Sequence, residues 1–122
     1  MSAIVHFDVP AEDTGRAKKF YSSLFDWKFE SYPGMEYYLI ATKNLDGTPG
    51  VGGGIGKRMA PSQRMMNYFG VASIDAAMKK VTRLGGKLIM GKMPVPGMGY
   101  LANCIDTEGN FFGLWEENKE AK

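Results

Sequence analysis

The chain has 122 residues, 44% of them apolar, enough for one ordinary domain with its own core and no need of disulfides. Fifteen Lys and Arg against 13 Asp and Glu leave a net charge of +2, too small and too scattered for a nucleic-acid binder. No apolar run approaches the roughly 18 residues of a membrane span, the first residues are expected to hold no signal peptide, and the single cysteine, Cys104, can form no internal disulfide, so a reducing cytoplasm is the expected setting.

Residues 3–9 alternate as a strand, with Val5, Phe7 and Val9 on one face and Ile4, His6 and Asp8 on the other. Pro10 ends it, Asp13 is the expected N-cap, and Ala17, Phe20, Tyr21, Leu24 and Phe25 form a helical stripe. Strands are expected over 27–32, 36–42 and the glycine-dense 50–56, with turns at Pro33-Gly34 and around Asn44–Gly47. Residues 58–65, with Pro61, read as a linker.

The pattern then restarts. A strand at 66–74 leads to Asp75 as N-cap and to a helical stripe of Ala77, Met78, Val81 and Leu84, stopped by Gly85-Gly86. Strands follow at 87–93, 100–105 and 110–116, the last pair joined by a turn at 106–109. The stretch 94–100, with Gly97 and Gly99 as hinges, reads as a mobile lid or as a long turn. A charged tail over 117–122 is expected to fray. This is βαβββ followed by βαβββ, with Ala17 matching Ala77 and Leu24 matching Leu84 at an offset of about 60 residues.

Several segments resemble the vicinal oxygen chelate superfamily, which includes glyoxalase I, bleomycin-resistance proteins and extradiol dioxygenases. They are Val5-His6-Phe7-Asp8-Val9 with Asp13, Lys19-Phe20-Tyr21 with Leu24-Phe25-Asp26-Trp27, Leu84-Gly85-Gly86-Lys87, and residues 106–110 ahead of Phe112-Gly113-Leu114-Trp115-Glu116. The resemblance spans nearly the whole chain. It implies an α+β fold of two tandem βαβββ modules, about 3–57 and 66–117 in a single domain 1–122, forming a U-shaped mixed sheet around a cavity. It also implies a homodimer.

Metal-dependent members carry one ligand on each of four strands, because a divalent ion needs about four to six donor atoms within about 2.0–2.6 Å. By the resemblance the first position is His6. The second falls within 51–55, the third at or beside Phe69 and the fourth at Gly113, and none of these offers a ligand. No Asp, Glu or His occurs between Gly47 and Ile74. Glu116 has the opposite parity from Gly113 and is expected to point away from the cavity. No cofactor is therefore expected, divalent metal included.

Two readings stand for His6: an acid–base group oriented by Asp8, or a hydrogen-bonded strand histidine. The run 50–56 matches neither phosphate-loop spacing and reads as a place for sheet curvature or close approach of a ligand or a partner backbone. Asn67, Phe69, Phe111 and Trp115 are expected to share the cavity face and form an aromatic pocket, or else to fill it as core. Tyr38 and Tyr100 are either proton donors or strand packing, and Cys104 is expected to be buried and inert. The expected role is binding of a small organic molecule without metal, with His6, Asp8, Asn67, Phe69, Phe111 and Trp115 as contacts. The alternatives are a lyase, isomerase or dioxygenase that uses His6, and a non-catalytic dimeric interaction module.

Overall fold

A computed structural model describes all 122 residues. The order of elements is β1 (Ile4–Ala11), α1 (Thr14–Phe25), β2 (Lys28–Ser31), β3 (Tyr37–Ala41), β4 (Gly53–Lys57), then β5 (Met66–Gly70), α2 (Ile74–Arg83), β6 (Lys87–Val95), β7 (Gly99–Ile105) and β8 (Phe111–Glu117). It is the α+β arrangement of two βαβββ modules that the alternation of periods two and 3.6 dictates. No helix is long and apolar enough to cross a membrane.

The chain divides into two compact units, one of residues 6–65 and one of residues 66–122 together with Met1–Val5. Within the first, the strands lie in the order β2-β3-β4-β1, with β1 parallel to β4 and the other pairs antiparallel. Within the second, β5-β8-β7-β6 repeats the plan, with β5 parallel to β8.

Each unit covers one sheet face with its helix. In the 6–65 unit, Val9, Ala11, Ile40 and Ile55 are buried under Ala17 and Tyr21 of α1. Tyr21 stacks on Trp27 at 4.7 Å between ring centroids, and Phe7 meets Trp27 at 5.4 Å. Such pairs contribute about 0.5–1.5 kcal/mol each beyond the area they bury. Only part of the expected stripe faces the core: Phe20, Leu24 and Phe25 stay more than half exposed. In the second unit, Ile74, Ala102, Cys104 and Leu114 are buried against Ala77, Met78 and Val81, whereas Leu84 is exposed.

The start of α1 follows expectation, with Asp13 accepting from Arg16 N–H at 2.9 Å. That of α2 differs. Ser73, not Asp75, is the N-cap and accepts from Ala76 N–H, while the Glu116 carboxylate accepts from Ile74 N–H at 2.9 Å. Asp75, freed from capping, pairs with Lys92 at 3.1 Å. Glu116 thus points to the helix-covered face, as its parity requires.

Residues 94–100 are not a lid. β6 and β7 pair through Pro94↔Tyr100 and Val95↔Gly99, and a tight turn with Gly97 at φ 75° joins them. The C-terminal tail pins this turn rather than fraying: Gly97 N–H donates to the Ala121 carbonyl, Asn118 N–H donates to the Met98 carbonyl, and Ala121 is buried. Four backbone hydrogen-bonding groups that a polar loop would leave to water, two N–H and two carbonyls, are satisfied by this closure.

Candidate functional site

The face of the 6–65 sheet away from α1 carries His6 and Asp8, because side chains two apart on a strand share a face. A third residue joins them from β3. The Tyr37 hydroxyl donates to Asp8 Oδ1 at 2.6 Å. His6 Nε2 lies 2.9 Å from the same oxygen and 3.1 Å from the Tyr37 oxygen, so an imidazole protonated on Nε2 donates into the pair. The His6 and Asp8 side chains are 31% and 32% exposed, held in place yet open to solvent.

Glycine places the tyrosine. Asp8 pairs with Gly54 across β1 and β4, and Tyr37 pairs with Gly56 across β3 and β4. The Tyr37 ring lies across both glycines: a Cβ at Gly54 would run into its hydroxyl and Cζ, and one at Gly56 would stand 2.9 Å from its Cδ1. Gly53 does the same service on the other face, where a Cβ would meet the Phe7 ring at 2.8 Å. The glycine run houses these aromatic rings and also admits neighbouring backbone, since a Cβ at Gly53 would stand 2.5 Å from the Phe7 carbonyl oxygen, the close backbone approach expected of the run. The sequence signal was present as Tyr37 on the strand just ahead of a glycine run, but only the register shows which ring meets which glycine.

The 66–122 unit repeats the device. Tyr68 is buried across Gly113 and its hydroxyl donates to Asn103 Oδ1 at 3.2 Å. Here the expected grouping of Asn67, Phe69, Phe111 and Trp115 fails. Register pairs Tyr68 with Gly113, Phe69 with Leu114 and Gly70 with Trp115. Phe111 and Trp115 therefore share the helix-free face with Tyr68, while Asn67 and Phe69 lie on the helix-covered face, where Phe69 meets Phe112 edge-on at 6.2 Å. Tyr68 and Phe69 are adjacent aromatics, so alternation alone gives no sign of which one faces the core, and a one-residue slip exchanges the faces.

Tyr38 and Tyr100 also lie on helix-covered faces, with Lys18 Nζ 3.5 Å above the Tyr38 ring and Lys92 Nζ 4.4 Å from the centre of the Tyr100 ring. Cys104 is fully buried, and burial pushes its thiol pKa up, away from the reactive thiolate. Two open hollows lie apart from His6: one of about 410 Å³ between α1 and the end of β1, beside Arg16 and Arg58, and one of about 560 Å³ between α2 and Leu88.

The residues present do not fit a divalent metal. His6 and Asp8 are engaged with Tyr37, β4 supplies only glycine, isoleucine and lysine, and β8 offers Gly113 under the Tyr68 ring. No group of three or more His, Cys, Asp or Glu side chains stands together.

Comparison with known proteins places this geometry. No family model matches the chain. It is 30% identical over 118 residues to the "Putative glyoxylase CFP32" of Mycobacterium tuberculosis, covering 92% of this chain and 44% of that protein. It is 30% identical over 127 residues to the anthracycline biosynthesis protein DnrV of Streptomyces peucetius, covering 91% of this chain and 46% of DnrV. The chain thus spans less than half the length of these curated relatives. Among solved structures, a glyoxalase/bleomycin resistance protein/dioxygenase superfamily member from Vibrio splendidus superposes with a TM-score of 0.66 at 12% identity, over 96% of this chain and all of that one. The Mn(II)-bound glyoxalase of Novosphingobium aromaticivorans superposes at 0.59 and 15% identity, over 99% of this chain and 41% of that one. The resemblance read in the sequence therefore holds: the chain has the fold of the glyoxalase/bleomycin-resistance/dioxygenase proteins, the vicinal oxygen chelate superfamily. That fold includes a Mn(II)-bound glyoxalase.

Proposed function

We propose that the chain binds a flat, hydroxylated organic molecule against the helix-free face of its 6–65 unit, without a bound metal, in the cytoplasm. The observation that carries this reading is the His6–Asp8–Tyr37 cluster, one-third exposed and locked by its own hydrogen bonds of 2.6–3.1 Å. Polar groups fixed before the ligand arrives cost little ordering on binding. Asp8 spends only Oδ1 on the cluster, which leaves Oδ2 to accept a ligand hydroxyl. The 66–122 unit is proposed by itself to offer Phe111 and Trp115, on its own helix-free face, to an aromatic molecule, whereas Asn67 and Phe69 lie on its helix-covered face. The relative named for anthracycline biosynthesis supports a flat polycyclic ligand. A homodimer remains part of the proposal, supported by the exposed Phe20, Leu24 and Phe25 of α1.

The test combines elemental analysis of protein purified without chelator or metal resin with calorimetric titration of quinizarin, a dihydroxyanthraquinone. The expected result is far less than one metal per chain and saturable binding that Asp8→Asn weakens by about tenfold or more, the loss of a charge-assisted hydrogen bond. Stoichiometric nickel, zinc, iron or manganese would overturn the metal-free reading, and binding indifferent to Asp8→Asn would overturn the site.

One observation favours a second reading. A carboxylate shared by a phenol and an imidazole is a proton-transfer arrangement, and it suits a lyase, isomerase or dioxygenase-type enzyme that uses His6 as acid or base. Turnover of a bound ligand that disappears in His6→Ala, with the ligand still bound, would establish it.

A further inference from the structure

We propose that Tyr37 decides what the helix-free face of the 6–65 unit binds: its ring occupies the place of a third donor side chain, reserving His6 and Asp8 for hydrogen bonds and withholding them from a divalent cation. This inference deepens the metal-independent reading above and rests on it.

Asp8 and Gly54 are register partners on adjacent parallel strands. Their side-chain positions are one strand spacing apart, about 4.8 Å, on the same face. His6 shares that face two residues earlier. An acidic or imidazole side chain at position 54 would therefore complete a three-donor nitrogen–oxygen set of the kind that holds a divalent transition ion.

Tyr37 opposes this set in two ways. Sterically, any side chain at 54 meets its hydroxyl and Cζ, and the ring continues over Gly56. Electronically, its hydroxyl and His6 Nε2 both engage Asp8 Oδ1, at 2.6 and 2.9 Å, so a cation that takes His6 through Nε2 must break this network, and Asp8 offers it Oδ2 alone. A cation arriving at the native face finds one carboxylate oxygen, an imidazole Nε2 already hydrogen-bonded, and no third donor. An organic ligand needs no such rearrangement.

The test is calorimetric titration with MnCl2 and NiCl2 alone, on the wild-type chain, on Tyr37→Ala/Gly54→Glu, and on that variant with His6→Ala added. Tyr37→Ala/Gly54→Glu is expected to take one equivalent of metal at least about tenfold more tightly than wild type, to gain thermal stability on metal addition, and to lose both gains with His6→Ala. A folded Tyr37→Ala/Gly54→Glu variant that binds no better than a metal-free wild type overturns the role of Tyr37 and leaves the metal-independent reading standing. Stoichiometric binding by wild type that His6→Ala removes overturns both. If the introduced carboxylate unfolds the chain, Tyr37→Ala/Gly54→His puts the same question with the same opposed outcomes.

Discussion

Replacing Gly54 by alanine probes the joint between glycine and tyrosine most directly. The added methyl cannot coexist with the Tyr37 hydroxyl and Cζ, so the ring must swing off β4. Its hydroxyl is the far end of a side chain and can move, which limits the cost to the interactions it leaves. The largest is the 2.6 Å bond to the Asp8 carboxylate. A hydrogen bond to a charged group contributes about 1.5–3 kcal/mol, and alanine in place of glycine within a strand returns about 0.5–1 kcal/mol. The net expectation is a loss of about 1–2 kcal/mol, or a fall in Tm of roughly 4–8 °C for a chain of this size. In a Tyr37→Ala background the obstacle is gone, and Gly54→Ala should stabilise by about 0.5–1 kcal/mol. The two positions should therefore be coupled by about 2 kcal/mol in a double-mutant cycle. Urea unfolding followed by the fluorescence of Trp27 and Trp115 measures all four corners. An equal cost of Gly54→Ala in both backgrounds, or no cost in either, would refute the reasoning.

Other expectations follow from the core and the turns. Ile55 is fully buried between β1 and β3, and Ile55→Ala should cost about 2–5 kcal/mol in chemical denaturation. Cys104, with its thiol pKa raised by burial, should resist iodoacetamide at neutral pH in the native chain and react at once in urea; fast native labelling would contradict its placement. Asp106 accepts from Asn110 and Glu108 N–H groups, which lowers its pKa below the ordinary 3.8. Its contribution is thus present above that value and lost as pH falls through the lower folded value, so Asp106→Asn should flatten the acid limb of a stability–pH curve there and leave the neutral region's pH dependence unchanged. Ser73→Ala should cost about 0.5–2 kcal/mol as a lost N-cap, and Asp75→Ala less.

Much of the fold was legible because its signals are local. Strand alternation at 3–9, the cap at Asp13 and the glycine stop after α2 each act within a few residues, and the repeated βαβββ order follows from them. The adjacency of His6 and Asp8 was legible for the same reason, since period two puts them on one side of one strand. The cap of α2 was not, because Ser73 takes the place expected of Asp75 and the Ile74 amide is taken by Glu116, some forty residues on. Of the two readings of 94–100, lid or turn between strands, the turn holds; its proline and glycine content marks a turn without giving its length, which the pairing of β6 with β7 and the hold of Ala121 set.

The sequence by itself determined the kinds of element, their order, the α+β class, and the poverty of ligand-forming residues between Gly47 and Ile74. Only the tertiary structure decided that Tyr37, rather than Tyr38 or Tyr100, stands beside His6 and Asp8, and that Phe69 turns away from Phe111 and Trp115. The reason is physical. A side chain's face within a strand is fixed by alternation, but which face meets a helix and which ring covers which glycine depend on register between strands distant in sequence. Register is set by the packing of whole faces, so it becomes readable only once the strands are paired.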